Sequence, residues 1–569
     1  IPADAQAWIE QPVEIEGQIE VLHVDYADGT GEFRYFLKTD LGERISLHFT
    51  KKPQGYESGA ELRASGLLLE NVSADGSEDA DGAMAIAAEE TDIEVLALGD
   101  EVAAAPSSGL ANTFGQQNTI ILLVNFQDNP GNKPWTTTTI DAMADGTLSN
   151  FFRENSNQQT WLNVDTFGWY TLPLNGTSCS YTSIDGAAAT AATNAGVNLS
   201  AYSRRIYVFP SNSACGWSGL GTIGGNPSKS WINGLSSFGV YAHEMGHNFG
   251  LYHSHALDCG SVTLCASGTT IEYGHFGDTM GNNVDGHYNS FQKERLGWLA
   301  YNSSPTVSTA QSTGNYTVKP YSAADGGPKA LKVLKGIDGA GKKTYYYIES
   351  RRAIGFDAPL ANVSGGNFLS GVTISIGTES SPDSSFLLDM TPTVGSDFRD
   401  AALAVNQSFT DSAAGVTITP LSANDTQATI SVSMGGVACA RAYPTVSVTP
   451  DQSQWMPPGT AVIYDVSVTN NDGSGCASST FNLTATMPSG WTAAYGVAAL
   501  NLAAGASGTT TLQITSPGSA ADGFYDFTAT ARNSGATTYS GSDTATYVVS
   551  AAPPNSPPVA VNDSAKTGS

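Results

Sequence analysis

At 569 residues the chain is too long for one domain, and typical domain sizes imply about three to five. Its 53 acidic and 25 basic side chains leave a net charge of −28, which argues against nucleic acid and anionic membranes as partners and suits salty surroundings that screen self-repulsion. Hydrophobic residues make up 40% of the chain, enough for several cores, while 61 glycines favour short strands and turns, and no run of about 18 apolar residues is present to span a membrane.

Residues 1–105 alternate polar and apolar side chains, as in Val13-Glu14-Ile15-Glu16 and Arg34-Tyr35-Phe36-Leu37, with turns at Asp28-Gly29 and Leu41-Gly42. This pattern predicts a small N-terminal β-barrel or sandwich. The acidic loop Asp75–Gly82 glances at a calcium site, but an EF-hand register of twelve residues from Ser77 puts Ala88 where a bidentate Glu is required. It reads as a solvated loop. Ala103–Gly109 is small and polar, and a linker is expected over 106–117.

From 118 to 300 the pattern is α/β. Thr119–Phe126 is a continuous apolar run typical of a strand buried on both faces, Ala187–Val197 is helical, and Arg205–Phe209 is another strand. Residues 301–436, with Tyr345–Glu349 and Val416–Thr419, predict a β-sandwich. The evenly spaced short strands of 437–550 predict an Ig-like domain. The tail 551–569 opens with Pro553-Pro554-Asn555-Ser556-Pro557-Pro558, a stiff linker expected to lead into a further segment.

Six cysteines fall as three neighbouring pairs, Cys179 with Cys215, Cys259 with Cys265, and Cys439 with Cys476, without the close spacing of a zinc ribbon. They predict three local disulfides and a secreted, extracellular protein. No basic, apolar leader stands at Ile1, so an exported chain is expected to have lost its signal peptide.

The decisive segment is His243-Glu244-Met245-Gly246-His247-Asn248-Phe249-Gly250-Leu251-Tyr252-His253. On a helix His243 and His247 lie on one face, where both imidazoles reach one ion, and Glu244 reaches a water there without ligating the metal itself. Gly250 is suited to end the helix in a left-handed conformation, so that the chain turns and returns His253 to the same ion. Three neutral imidazoles leave a fourth position open, as catalytic zinc requires.

This pattern resembles the metzincin zinc-binding consensus, and Asp278-Thr279-Met280-Gly281 resembles the methionine turn of that group, with Met280 beneath the metal. Within it the chain is most similar to gametolysin-like peptidases. That likeness rests on Lys293-Glu294-Arg295-Leu296-Gly297-Trp298-Leu299, Leu388-Asp389-Met390-Thr391-Pro392 and Phe409-Thr410-Asp411 as well, and covers residues 1–436. Pro488-Ser489-Gly490-Trp491 resembles the Ig-like modules appended to bacterial secreted hydrolases. The resemblance implies a multidomain protein with a metzincin-type α/β catalytic domain between β-domains. The sequence departs from related patterns at two points. Asn282 stands where astacin-type enzymes carry a tyrosine, which leaves Tyr288 or His287 as oxyanion candidates, and no cysteine precedes Cys179, so a cysteine-switch propeptide is impossible.

The function implied is a secreted zinc endopeptidase acting on protein or peptide substrates, surface-bound or matrix proteins among them, with Glu244 as general base. Residues 1–105 are expected to be a propeptide of a zymogen, against a permanently attached accessory domain. Gly219–Gly225 is weighed as a strand that pairs with substrate and as a loop without that role. Two other functions are weighed: a glycan- or matrix-binding protein with a degenerate enzyme domain, and a peptidase requiring a glycosylated substrate. Structural Ca2+ is considered for the β-domains, with Asp411 a candidate ligand. A monomer is expected.

Overall fold

In the computed structural model, residues 11–97 and 110–550 are described, apart from 27, 52, 54, 71–79, 81, 87–91, 111, 282–285, 322–325, 339–340, 380, 393–396, 436–438 and 474. The tail 551–569, linker positions 106–109 and 111, Asn282 and all of the acidic loop but Ala80 and Gly82 lie outside the described residues. The chain is mostly β, with several separate sheets.

The N-terminal strands are β1 (Gln11–Tyr26), β2 (Gly31–Lys38), β3 (Arg44–Phe49), β4 (Glu61–Glu70), β5 (Gly82–Ile86) and β6 (Ile93–Ala97). At 16 residues β1 is long enough to serve several partners. Gln11–Gln18 pair with β4 and Gln18–Asp25 with β2, while β3 joins β2 to β5, which returns to β4. The order β1-β2-β3-β5-β4-β1 therefore closes a five-stranded barrel around Ile19, Val21, Leu37, Leu47, Leu62 and Met84.

That barrel is joined to the α/β region that follows through its longest strand, β1. The strands of that region are β7 (Gly115–Phe126), β8 (Thr160–Leu172), β9 (Arg204–Phe209), β10 (Trp217–Thr222) and β11 (Ser228–Asn233), in the order β10-β11-β9-β7-β8. β11, β9, β7 and β8 run parallel, and β10 is antiparallel to β11. β1 adds to the free edge of β10, so barrel and catalytic sheet become one continuous sheet of 11 strands.

The apolar run in β7 is buried on both faces, as its sequence predicts. Ile121 and Leu123 face a layer built from α1 (Thr137–Asp141), α2 (Ser149–Asn155) and Trp298. Ile120, Leu122 and Val124 face the other layer, where α3 (Tyr181–Asn194) packs Tyr181, Ile184 and Ala188. The histidine motif lies on α4 (Phe238–Asn248), against the first of these layers through Tyr241, Ala242 and Met245.

After α4, β12 (His255–Asp258) and β13 (Thr269–Ile271) leave the catalytic sheet and join a second one, β12 running parallel to Ser381–Leu388. A short α5 (Ser290–Arg295) precedes the strands between 307 and 434, which form this sheet and a further four-stranded one. The fully buried Arg351 ties this region to the loop before Met280. It pairs with Glu349 and Asp357 and donates to the carbonyls of Gly277 at 2.6 Å and His287 at 3.3 Å.

A second compact unit includes residues from 435 onward. Two four-stranded antiparallel sheets enclose Val448, Tyr464, Val466, Phe481, Trp491, Phe527 and Tyr547. The Cys439–Cys476 disulfide forms at its start, while Cys179–Cys215 and Cys259–Cys265 close the other two predicted bridges.

Candidate metal centre and catalytic cleft

α4 is held over the sheet by its last residue. Asn248 donates from Nδ2 to the carbonyls of Thr222 at 3.1 Å and Lys229 at 2.8 Å, and its Oδ1 accepts from Ser230 at 2.9 Å. The buried Arg204 donates to the Asn248 carbonyl at 2.5 Å, setting a cation at the negative end of the helix. Two glycines in β10 let the helix approach. A Cβ on Gly219 would meet a Glu244 carboxylate oxygen at 1.8 Å, and one on Gly221 would meet His247 Cβ at 3.0 Å.

The helix stops at Gly250, whose φ is +92°. Gly250 N–H donates to the His247 carbonyl at 2.8 Å and Leu251 N–H to the Gly246 carbonyl at 3.0 Å, the paired bonds of a Schellman ending. The chain reverses and brings His253 back. The Nε2 atoms of His243 and His253 then lie 3.1 Å apart, and the rings of His247 and His253 are 5.1 Å apart between centroids.

Each of the three rings is oriented from behind. The Nδ1 of His243 bonds the Thr279 carbonyl at 2.7 Å, that of His247 the Leu251 carbonyl at 2.9 Å, and that of His253 the Glu272 carboxylate at 2.8 Å. An acceptor on Nδ1 fixes the proton there and leaves the Nε2 lone pair facing inward, the arrangement that metal-ligating imidazoles adopt. His247 Nε2 and both Glu244 oxygens are buried without a hydrogen-bond partner.

A fourth donor enters from the N-terminal barrel. Asp25 Oδ1 lies 3.0 Å from His253 Nε2 and 3.5 Å from His243 Nε2, and Oδ2 lies 3.7 Å from His247 Nε2. Ligands about 2.0–2.1 Å from a common centre at tetrahedral angles stand about 3.3 Å apart, so the separations and donor types fit a zinc ion. Among the described residues, both groupings of acids and histidines able to hold a cation belong to this place: His23, Asp25, His247 and His253, and Asp25, His243 and Glu244.

Burial lowers the pKa of His247 to about 4 and, outweighing Asp25 and Glu272, lowers that of His253 as well, which favours the neutral rings a metal needs. Burial also pulls on His243, but Asp25 and the Thr279 carbonyl outweigh it and raise its pKa. Glu244 is pushed well above the usual carboxylate range by burial and then by the neighbouring Asp25. Burial raises Glu272 too, yet the hydrogen bond and charge of His253 bring it down to about 2.

Met280 is fully buried beneath the histidines, where a Cβ on Gly246 would meet its sulfur at 2.2 Å. Asp278 organises that turn, accepting from Met280 N–H at 2.7 Å, Ser254 Oγ at 2.9 Å and Asn289 N–H at 2.7 Å. A cleft of about 600 Å³ opens beside the metal position, lined in part by Leu235, Val240, His243, Glu244, Ile271 and Tyr273.

The structure brings His243, Glu244, His247, His253 and Met280 together, and it does not bring Tyr288 or His287 to the cleft. Tyr288 is fully buried with its hydroxyl on the Ala242 carbonyl at 2.7 Å, and His287 is held between Glu154 at 2.8 Å and Lys293 at 2.6 Å. The tyrosine at the site is Tyr273, which tilts over His253 at 4.3 Å and donates to Asp25 Oδ1 at 2.5 Å. Sequence reasoning missed Tyr273, Glu272, His23 and Asp25. The signal for the last two was His23-Val24-Asp25 in an alternating strand, where a histidine and an acid share one face. Gly219–Thr222, weighed as strand or loop, is strand β10, with β1 on its edge. Asp411 is buried and accepts from the Tyr346 hydroxyl at 2.5 Å, and no cation cluster among the described residues includes it.

Residues 135–351 match the family described as gametolysin peptidase M11, and residues 456–534 match the NPCBM-associated NEW3 domain of alpha-galactosidase. No curated protein matches the chain. Among solved structures, the secreted serine protease VesC from Vibrio cholerae is 15% identical with a TM-score of 0.15, over 18% of this chain and 23% of that one. A PapD-like domain of human CEP192 is 10% identical with a TM-score of 0.15, over 20% and 87%. Elastase-activated alpha-2-macroglobulin of Escherichia coli is 13% identical with a TM-score of 0.16, over 44% and 22%. The chain thus spans under a quarter of the first of these, and likeness at this level carries no argument about fold or activity.

Proposed function

We propose, from the match of residues 135–351 to the gametolysin peptidase family, that the chain is a secreted, zinc-dependent endopeptidase of metzincin type, made as a zymogen whose N-terminal barrel is the propeptide. The observation that carries the reading is the convergence of three Nδ1-anchored imidazoles beside a buried, unpartnered Glu244. A zinc ion held by His243, His247 and His253 would supply a Lewis acid that acidifies water and polarises a peptide carbonyl.

The chain's own groups supply the rest. Once β1 has left it, the edge of β10 offers backbone hydrogen bonds to an extended peptide, which aligns the scissile bond with Glu244. Glu244, whose pKa is raised by its buried setting, takes a proton from the attacking water and returns it to the leaving amine. Once Asp25 has left, the Tyr273 hydroxyl stands free to donate to the carbonyl oxygen as negative charge develops there. The three disulfides and the absence of any long apolar helix among the described residues accord with extracellular work.

The unit from 435 onward is read as an Ig-like module that orients the enzyme on large or surface-bound substrates. The test of the peptidase reading is hydrolysis of unfolded casein by matured wild-type chain and by Glu244→Ala, with zinc measured in both. Cleavage by the wild type, a loss of about 10²–10⁴-fold in the variant and zinc retained in both are expected. A variant as active as the wild type would remove Glu244 from the reaction.

A further inference from the structure

β1 meets β10 antiparallel, in register from Leu22 opposite Thr222 to Asp25 opposite Gly219. Gly219 is where α4 comes closest to the sheet, so this register sets Asp25 directly before Glu244. Past a one-residue shift, Tyr26 still pairs with Trp217 of β10 and lines the cleft. The register breaks between Asp25 and Tyr26, and Tyr26 N–H bonds the Thr30 carbonyl at 2.9 Å in the turn to β2. The group of β1 that reaches the histidine nitrogens is the Asp25 carboxylate, at 3.0 Å from His253, 3.5 Å from His243 and 3.7 Å from His247.

That carboxylate is held in place through Oδ1, the same oxygen that lies nearest His243 and His253. Tyr273 donates to Oδ1 at 2.5 Å, and His23 Nδ1 approaches it at 3.1 Å from a fully buried ring that stacks on His247 at 4.9 Å between centroids. Two buried carboxylates, Asp25 and Glu244, side by side are costly without a cation to neutralise them. The barrel is clamped to the same wall at further points. Ser58 N–H bonds the Ile223 carbonyl at 2.8 Å, Tyr252 hydroxyl bonds the Tyr56 carbonyl at 2.9 Å, and Phe33 stacks on Tyr252 at 5.1 Å.

We infer that Asp25 is the fourth ligand of the metal in the unprocessed chain, and that β1, paired along β10 where a substrate strand would pair, keeps the peptidase latent until the barrel is released. The inference rests on the proposed metal site. With Asp25 in place, the position needed by the attacking water is filled and the edge of β10 is taken, so Glu244 has neither water to deprotonate nor substrate to serve. Release exchanges the Asp25 oxygen for water and frees the Tyr273 hydroxyl in the same event.

The test uses the full chain carrying Glu244→Gln, which is expected not to cut itself, with Asp25 intact, Asp25→Asn or Asp25→Ala. Each is loaded with zinc and titrated with acetohydroxamate by calorimetry, then loaded with cobalt(II) for its visible absorption spectrum. Each chain is expected to take about one metal equivalent. Both Asp25 variants should bind the hydroxamate at least about tenfold more tightly, because the tethered competitor is gone. Their cobalt spectra should shift together as a carboxylate ligand gives way to water. Asn keeps the shape of Asp, so its result stands even if the Ala variant folds poorly. Equal hydroxamate affinity and an unchanged spectrum in Asp25→Asn would overturn latency through Asp25 while leaving the metal site intact. Failure of every chain to take up metal would overturn the peptidase reading, and this inference with it.

Discussion

At the scale of single residues, the site depends on the groups that stand behind each functional atom. Glu272 orients His253, the Thr279 carbonyl orients His243, and the Leu251 carbonyl orients His247, so the geometry of the proposed ligands is set by groups behind their rings. Tyr273 stands on the other side, where the proposed reaction places the carbonyl. Replacing it by Phe is expected to lower kcat of the matured enzyme by about 10²-fold with KM and zinc content little changed. Steady-state kinetics on a fluorogenic peptide read this, and unchanged kcat would remove the tyrosine from catalysis. The convergence of His243, Glu244, His247 and His253 was legible in the sequence because their spacing is enforced by one helix and one glycine. Glu272 and Tyr273 were not, because they lie beyond the motif at distances that only the β12–β13 hairpin sets.

At the scale of elements, the methionine turn is pinned from outside the catalytic sheet. Arg351 is 0% exposed, pairs with Glu349 and Asp357, and reaches the Gly277 carbonyl three residues before Met280. Replacing Arg351 by Met leaves two buried carboxylates without their cation and is expected to cost about 3–5 kcal/mol in chemical denaturation. The same cluster fixes an acid limit. Burial raises Glu349 and Asp357, but Arg351 outweighs it and holds both below the ordinary carboxylate range of about 4. The unfolded chain therefore binds their protons first, and the stability they contribute is lost as pH falls below that range. Denaturation midpoints measured downward from neutral pH should drop there, and the Arg351→Met chain should lose much of that dependence. β7 was legible as a two-face buried strand because its apolar run is continuous. The merging of barrel and parallel sheet was not, since pairing of β1 with β10 depends on contacts about 200 residues apart in sequence, as in Leu22 with Thr222.

At the scale of the whole molecule, two compact units should answer differently to metal. The unit from 435 onward has its own core of Tyr464, Trp491, Phe527 and Tyr547, whereas the candidate metal centre lies wholly in the other unit. Calorimetry should show two thermal transitions, and a chelator should lower only one of them, by the linkage between binding and folding. If both transitions move equally, the two units do not unfold independently. Shifts in periodicity in the sequence marked where the N-terminal strands give way to the α/β region, but the sequence carried no mark of how completely the N-terminal barrel is built into the site it faces. The most direct measurement is anomalous diffraction at the zinc absorption edge from crystals of the full chain. The account predicts one strong peak about 2.0–2.1 Å from the Nε2 atoms of His243, His247 and His253. No peak there, or a peak held by other residues, would contradict it.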